Sequence, residues 1–338
     1  MKPATRQSNM ELLRIIAMLM VLTLHATYET FRYPRAAYVS EEPLSWLGII
    51  TTGTACIGCV DIFVLITGWF GIRFKVRNIL RLVFQVAFAV TIALLALTLW
   101  QGEVPAGLLS ILKMYYGYWF VNSYLILYLL SPVLNAFVEH CDEMDLRKFL
   151  LTFYAFVVPA SFIFSDLNRG FAAVPFIGLY LLGRYVRLYM APRLSACPRS
   201  YFLYFWTGCI VLSALTLWTA GFAPQIVIGA LVPMATAYTN PITIASGVAL
   251  LLYFSRIHFT SRIVNWLAAG SFMAYLTHQQ VLVRPYYFEI IRRFDNQFAT
   301  SLFILATFGT ICLIFILSVC LDNIRLLAWK SIERLFRH

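Results

Sequence analysis

Long apolar runs separated by short polar or basic segments repeat from one end of this chain to the other. A helix needs about 17–25 apolar residues to cross a hydrocarbon core of ~30 Å. The pattern predicts ten spans, at residues 10–27, 46–70, 79–100, 118–138, 149–164, 171–189, 201–222, 241–254, 264–283 and 298–321. The stretch 223–236 is apolar but short for a crossing, and is expected to be re-entrant or interfacial. The expected fold is all-α: a polytopic membrane helix bundle forming one domain over residues 1–338, with no separate soluble domain. No A-x-A-like site follows His25, so the first span should remain as a helix rather than be removed as a signal peptide. Residues 323–338 read as a short basic amphipathic helix, with Leu326, Leu327, Trp329, Ile332 and Leu335 on its apolar side.

Composition agrees. Of the 338 residues, 61% are hydrophobic and 12% charged, against roughly 45–50% and about 25% in soluble domains. A soluble globular fold and a disordered chain are both excluded. The net charge of +11 is explained by topology. With the N-terminus in the cytoplasm, nineteen Lys and Arg fall at cytoplasmic ends and seven outside. An eleventh span would reduce that split to sixteen against ten. Ten spans with both termini cytoplasmic satisfy the positive-inside bias better, in a multi-pass protein of the inner (plasma) membrane. The basic excess is therefore no nucleic-acid footprint. Cys56 and Cys59 form a C-x-x-C, but among Thr52, Gly53, Ala55 and Gly58, where helix packing is the simpler meaning.

Ionisable residues inside spans are costly and mark function by default. Arg14 and His25 share the first span. Eleven residues at about 100° each come within about 20° of three whole turns, so both lie on one stripe, about 16 Å apart along the axis. A snorkelling anchor paired with Glu11 is the ordinary alternative for Arg14, and a packed histidine that for His25. His278 lies about 21 Å from the inner end of its span, a depth like that of His25; two histidines at one level predict a shared polar cavity. Asp61 is expected to pair with an arginine or to orient a histidine. Arg77 and Arg81, near Arg73 and Lys75, stand four apart on one face and could grip phosphates, unless they serve topology alone. There is no P-loop, G-x-G-x-x-G, H-E-x-x-H or G-x-S-x-G motif, so no metal is expected.

The opening Asn-Met-Glu-Leu-Leu-Arg-Ile-Ile-Ala-Met-Leu-Met-Val-Leu-Thr-Leu-His-Ala resembles the start of the acyltransferase family 3 membrane proteins, with their R-x10-H pattern at Arg14 and His25. The resemblance continues through Asp-Ile-Phe-Val-Leu-Ile-Thr-Gly-Trp-Phe, with Thr67 where the family often has Ser, and through residues 118–132 and 275–278. It implies transfer of an acyl group, chiefly acetyl, from cytoplasmic acyl-coenzyme A to a hydroxyl of a cell-surface glycan or its lipid-linked precursor. In that reading Arg14, Arg77 and Arg81 hold coenzyme A phosphates. His25 is general base or acyl relay, with His278 and Asp61 as further catalytic candidates. Trp119 and Tyr275 line the acceptor entrance beside His278, although Trp119 also fits an ordinary aromatic belt. A transporter of a lipid-linked glycan or small anion is the alternative. Transporters often carry internal repeats, and none is visible here.

Overall fold

The computed structural model describes residues 7–31, 39, 41–104, 107–164 and 167–335, and no strand occurs among them. In chain order the helices are α1 (Ser8–Leu24), α2 (Pro43–Ile57), α3 (Cys59–Phe70), α4 (Val76–Gln101), α5 (Leu108–Tyr116), α6 (Trp119–His140), α7 (Glu143–Ile163) and α8 (Ala173–Tyr185). Next come α9 (Arg199–Ala220), α10 (Gln225–Ala235), α11 (Pro241–Ser255), α12 (Arg262–His278), α13 (Arg284–Gln297) and α14 (Thr300–Leu335). Polar residues at the ends set several boundaries. Asp142 accepts the Asp145 N–H at 2.8 Å to start α7. Asn240 accepts the Ile242 N–H at 2.8 Å, with Pro241 in the first turn of α11.

Seven described helices, some running on through a short break, are long and apolar enough to cross a membrane: Ser8–Glu29, Pro43–Phe70, Val76–Gln101, Trp119–His140, Glu143–Ile163, Arg199–Ala220 and Thr300–Arg334. Three of the ten expected spans, at 171–189, 241–254 and 264–283, fall on shorter α-helices. These are α8, whose 13 residues run on through a π-helix at Val186–Met190, α11 with 15 and α12 with 17. The physical reason is clearest in α11. Most of its residues from Thr243 to Phe254 are buried by other helices, so its apolar character comes from protein packing rather than from facing lipid. α12 stops at His278 because the Gln280 side chain accepts the N–H groups of Leu282 and Val283, at 2.6 and 3.1 Å, and turns the chain. The stretch 223–236 forms the 11-residue α10, about 17 Å long and too short to cross.

The expected separate tail is corrected. Residues 323–335 continue α14 without a break, giving one helix of 36 residues. Residues 336–338 lie outside the described part, as do Lys2, Arg6, Arg32, Arg35 and Arg337 of the charge count. Arg325 is no exposed topology charge. It is buried, with Nε donating to Asp322 Oδ1 at 2.8 Å and Nη2 to Oδ2 at 3.0 Å.

The helices gather into two compact units, Met1–Phe74 with Phe120–Thr260, and Lys75–Trp119 with Ser261–His338. In the first, α1 is central and packs on α2, α3 and α11, while α3 packs on α8 and α9 on α11. Its core includes Leu13, Met18, Leu22, Ile62, Leu65, Phe176 and Tyr180. The α3–α8 contact is made backbone to backbone. A Cβ on Gly68 would stand 2.2 Å from the Tyr180 carbonyl oxygen, and one on Gly183 2.5 Å from that of Leu65. In the second unit α12 packs on α14, and α4 on both. Gln85 Nε2 of α4 donates to Asp322 at 2.8 Å, which completes the buried Asp322–Arg325 group.

Gly183→Ala is expected to destabilise the protein by about 1–3 kcal/mol, because the obstructing atoms are backbone and cannot rotate away. Gly208, inside α9 and with nothing within 4 Å of an added Cβ, supplies the comparison: Gly208→Ala should leave thermal unfolding of the solubilised protein unchanged or shift it slightly upward.

Candidate functional site

The polar groups of the first unit collect where α3 ends. Gly71 takes φ +74°, a conformation only glycine adopts freely, and its N–H bonds back to Thr67 and Gly68. The chain then turns out of the helix between α6 and α8, and three side chains pin it. Tyr180 of α8 accepts the Ile72 N–H at 3.0 Å and donates to Asn135 Oδ1 at 2.5 Å. Asn135 of α6 donates in turn to the Ile72 carbonyl at 2.7 Å. Tyr128 donates to the Arg73 carbonyl at 3.0 Å. Pro132 inside α6 cannot donate to the Tyr128 carbonyl, and the Ser131 hydroxyl takes that acceptor at 2.7 Å. The segment is therefore held rigidly.

Arginines surround it. Arg14 of α1 reaches both Glu11 carboxylate oxygens, at 3.0 and 3.1 Å, and its guanidinium lies 5.9 Å from the Phe70 ring centre. A third of its side-chain surface stays exposed. The Tyr124 hydroxyl lies beside Thr67 and within electrostatic reach of Arg14. Arg187, which the sequence analysis did not single out, donates to the Trp69 carbonyl at 2.7 Å and lies 5.9 Å over both Trp69 and Phe70. Its only sequence signal is membership of a basic run that begins at the end of the span 171–189.

α1 remains a regular α-helix from Ser8 to Leu24. The sequence-derived stripe therefore holds: Arg14 and His25 lie on one side, about 16 Å apart along the axis. At His25 the helix widens into a π-helix over His25–Glu29, a distortion frequent at functional sites. Threonine hydroxyls take up carbonyls there: Thr27 bonds to Thr23 and Leu24 at 3.0 and 3.2 Å, and Thr30 to His25 at 3.0 Å. Tyr28 anchors this turn by lying against Gly53 of α2, with its ring where a Cβ would be. His25 Nε2 stands 3.8 Å from Glu29 Oε1. Glu29 was missed in the sequence; its signal was the i+4 spacing from His25.

Asp61 lies elsewhere on α3. It is fully buried beside Gly247 of α11 and is an electrostatic neighbour of Tyr154 of α7. Neither carboxylate oxygen has a hydrogen-bond partner among the described residues. The expected arginine or histidine partner is thus not found there, because this face of α3 turns to α7 and α11. An ionised carboxylate so placed is costly. Asp61→Asn is accordingly expected to match or exceed wild-type thermal stability, and a large fall in melting temperature would overturn this.

The other sequence candidates belong to the second unit. Arg77 already grips a carboxylate: Nε donates to Glu333 Oε1 at 2.7 Å and Nη2 to Oε2 at 2.5 Å, and Trp329 Nε1 also donates to Oε1 at 2.5 Å. That pairing spans 256 residues of sequence and left no local trace. Its arginine is largely exposed, and such a pair is worth little energy. Arg81 stands one turn on, within electrostatic reach of the same Glu333 carboxylate. His278 is buried, with Nδ1 2.5 Å from the Ala274 carbonyl. A carbonyl only accepts, so Nδ1 carries the hydrogen and Nε2 is the basic nitrogen of the neutral ring. Tyr275 and Tyr287 meet the imidazole edge to face. Trp119 opens α6 half-buried. Among the described residues no group of three or more His, Cys, Asp or Glu could hold a metal.

No curated protein and no solved structure matches this chain. The acyltransferase domain of acyltransferase family 3 matches residues 7–321, nearly its whole length. The chain is an all-helical, multi-pass membrane-type protein that belongs to acyltransferase family 3.

Proposed function

We propose that this protein moves a short acyl group, in the first instance acetyl, from acyl-coenzyme A to a hydroxyl of a cell-surface glycan or its lipid-linked precursor. One observation carries the reading. Arg14, among aromatic and basic side chains at the end of α3, and His25, at the π-turn, share one stripe of one rigid helix. Coenzyme A is a polyanion with a thioester at the end of a long thin arm. A cation at one end of the stripe and a base about 16 Å away suit that shape.

In the reaction the neutral His25 imidazole takes the proton of the acceptor hydroxyl as its oxygen attacks the thioester carbonyl. The carbon–sulfur bond breaks and the histidinium returns the proton to the thiolate, leaving an ester and free coenzyme A. Glu29, 3.8 Å away, would stabilise the histidinium. An acyl-histidine relay gives the same products in two steps. His278, Tyr275 and Trp119 are assigned to the acceptor, and Arg77 and Arg81 to the donor. Phosphate would displace the Glu333 carboxylate from the exposed Arg77 guanidinium at small cost.

α7, α8, α9 and α11 line an open apolar groove of about 920 Å³, walled by Leu150, Tyr154, Phe202 and Val248 among others. It has room for a hydrocarbon chain and favours a lipid-linked acceptor over a free sugar. The charge bias supports a single membrane domain crossing the inner membrane ten times, with both ends cytoplasmic. Family membership favours group transfer over transport.

His25→Ala should lower acyl transfer from labelled acetyl-coenzyme A by about 10²–10⁴-fold, the usual contribution of a positioned acid–base group. Wild-type turnover in a folded, membrane-inserted variant would end the proposal for His25.

A further inference from the structure

We infer that Arg184 is a phosphate ligand for the acyl donor, seated under the Gly71 turn; this rests on the donor reading above. Three arginines of the first unit gather at the end of α3, and two are occupied. Arg14 holds Glu11, and Arg187 holds the Trp69 carbonyl. Arg184 of α8 has its Nε buried with no hydrogen bond among the described residues, and it forms no ion pair there. A guanidinium presents five N–H donors in a fixed fork, and leaving a buried donor unmade is costly. No carboxylate pairs with it among the described residues, and Glu11 and Glu143 are each held by another arginine, Arg14 and Arg193.

The space above it is preserved. A Cβ at position 71 would stand 3.1 Å from Arg184 Nη1 and 3.6 Å from Cζ, so glycine leaves this face of the guanidinium uncovered. The turn cannot collapse onto Arg184, because Tyr180, Asn135 and Tyr128 pin residues 72 and 73. The residue is itself only partly buried, so a ligand can approach it. A pre-positioned fork with an unfilled donor fits a phosphate oxygen. The ordinary alternative is that Arg184 merely complements the carbonyl end of α3.

Truncating the ligand separates these. Coenzyme A and pantetheine share the thiol arm, but pantetheine lacks every phosphate. Binding of each is measured to wild type, Arg184→Gln and Arg184→Lys in phosphatidylcholine nanodiscs. The Gln variant should lose coenzyme A affinity by about 10–100-fold with pantetheine binding unchanged. Lys should recover only part, since it offers a point charge in place of a fork. Equal loss of both ligands in a variant of normal thermal stability would make Arg184 structural and overturn the assignment. Undiminished coenzyme A binding would also overturn it. So would a loss confined to binding of vesicles containing phosphatidic acid, which would place a lipid headgroup there instead. Should Gln fail to fold, an unchanged coenzyme A to pantetheine ratio in the Lys variant overturns it equally. Wild type that binds no coenzyme A would sink the donor reading itself, a different result from wild type that binds it regardless of Arg184.

Discussion

The close crossing of α3 and α8 at Gly68 and Gly183 is the contact on which the first unit's site depends. Lipid tails are as apolar as leucine, so helices in a bilayer associate through tight packing and hydrogen bonds rather than through exclusion from water. Two glycines facing one another let the backbones approach until each would-be Cβ collides with a carbonyl oxygen. At that separation Tyr180 reaches the Ile72 N–H, Arg187 reaches the Trp69 carbonyl, and Arg184 comes under Gly71. A side chain at either glycine would push the end of α3 away from the α8 groups that hold it.

α1 supplies the second fixed length. A regular α-helix is stiff, and its hydrogen bonds set a rise of ~1.5 Å per residue, so the Arg14–His25 spacing needs no tertiary contact to define it. Beyond Leu24 the geometry is a local adjustment. The π-turn, its threonine hydroxyls and the Tyr28 ring over Gly53 set how His25 is presented and bring Glu29 to 3.8 Å. A rigid rod thus ends in a specialised turn, an arrangement that suits a site in which one end binds and the other reacts.

Buried charge is treated in two ways in this protein. Asp322 and Arg325 satisfy one another at adjacent turns of α14, with Gln85 as a third partner. Asp61 has no such partner among the described residues. Both kinds look alike in a hydropathy plot, because the cost of a buried charge is set by what stands within about 3 Å of it. Arg77 adds the opposite lesson. A cation offered by sequence as an open phosphate ligand is already engaged by a carboxylate near the far end of the chain.

The amino-acid sequence by itself determined the class of the protein, the positions of most helices, and the Arg14–His25 geometry. Each of these depends on interactions within a few residues: apolar run length and the fixed rise of one helix. The R-x10-H segment also made the family recognisable. Only the tertiary structure decided which apolar segments are short helices buried by protein, as in α11, and that α14 continues through Arg325. It alone brought Arg184 and Arg187 to the end of α3, turned Asp61 toward α7 and α11, and closed Glu333 on Arg77. Hydropathy records how apolar a surface is and not whether lipid or another helix covers it. A pair 256 residues apart is set by packing, for which no local pattern exists.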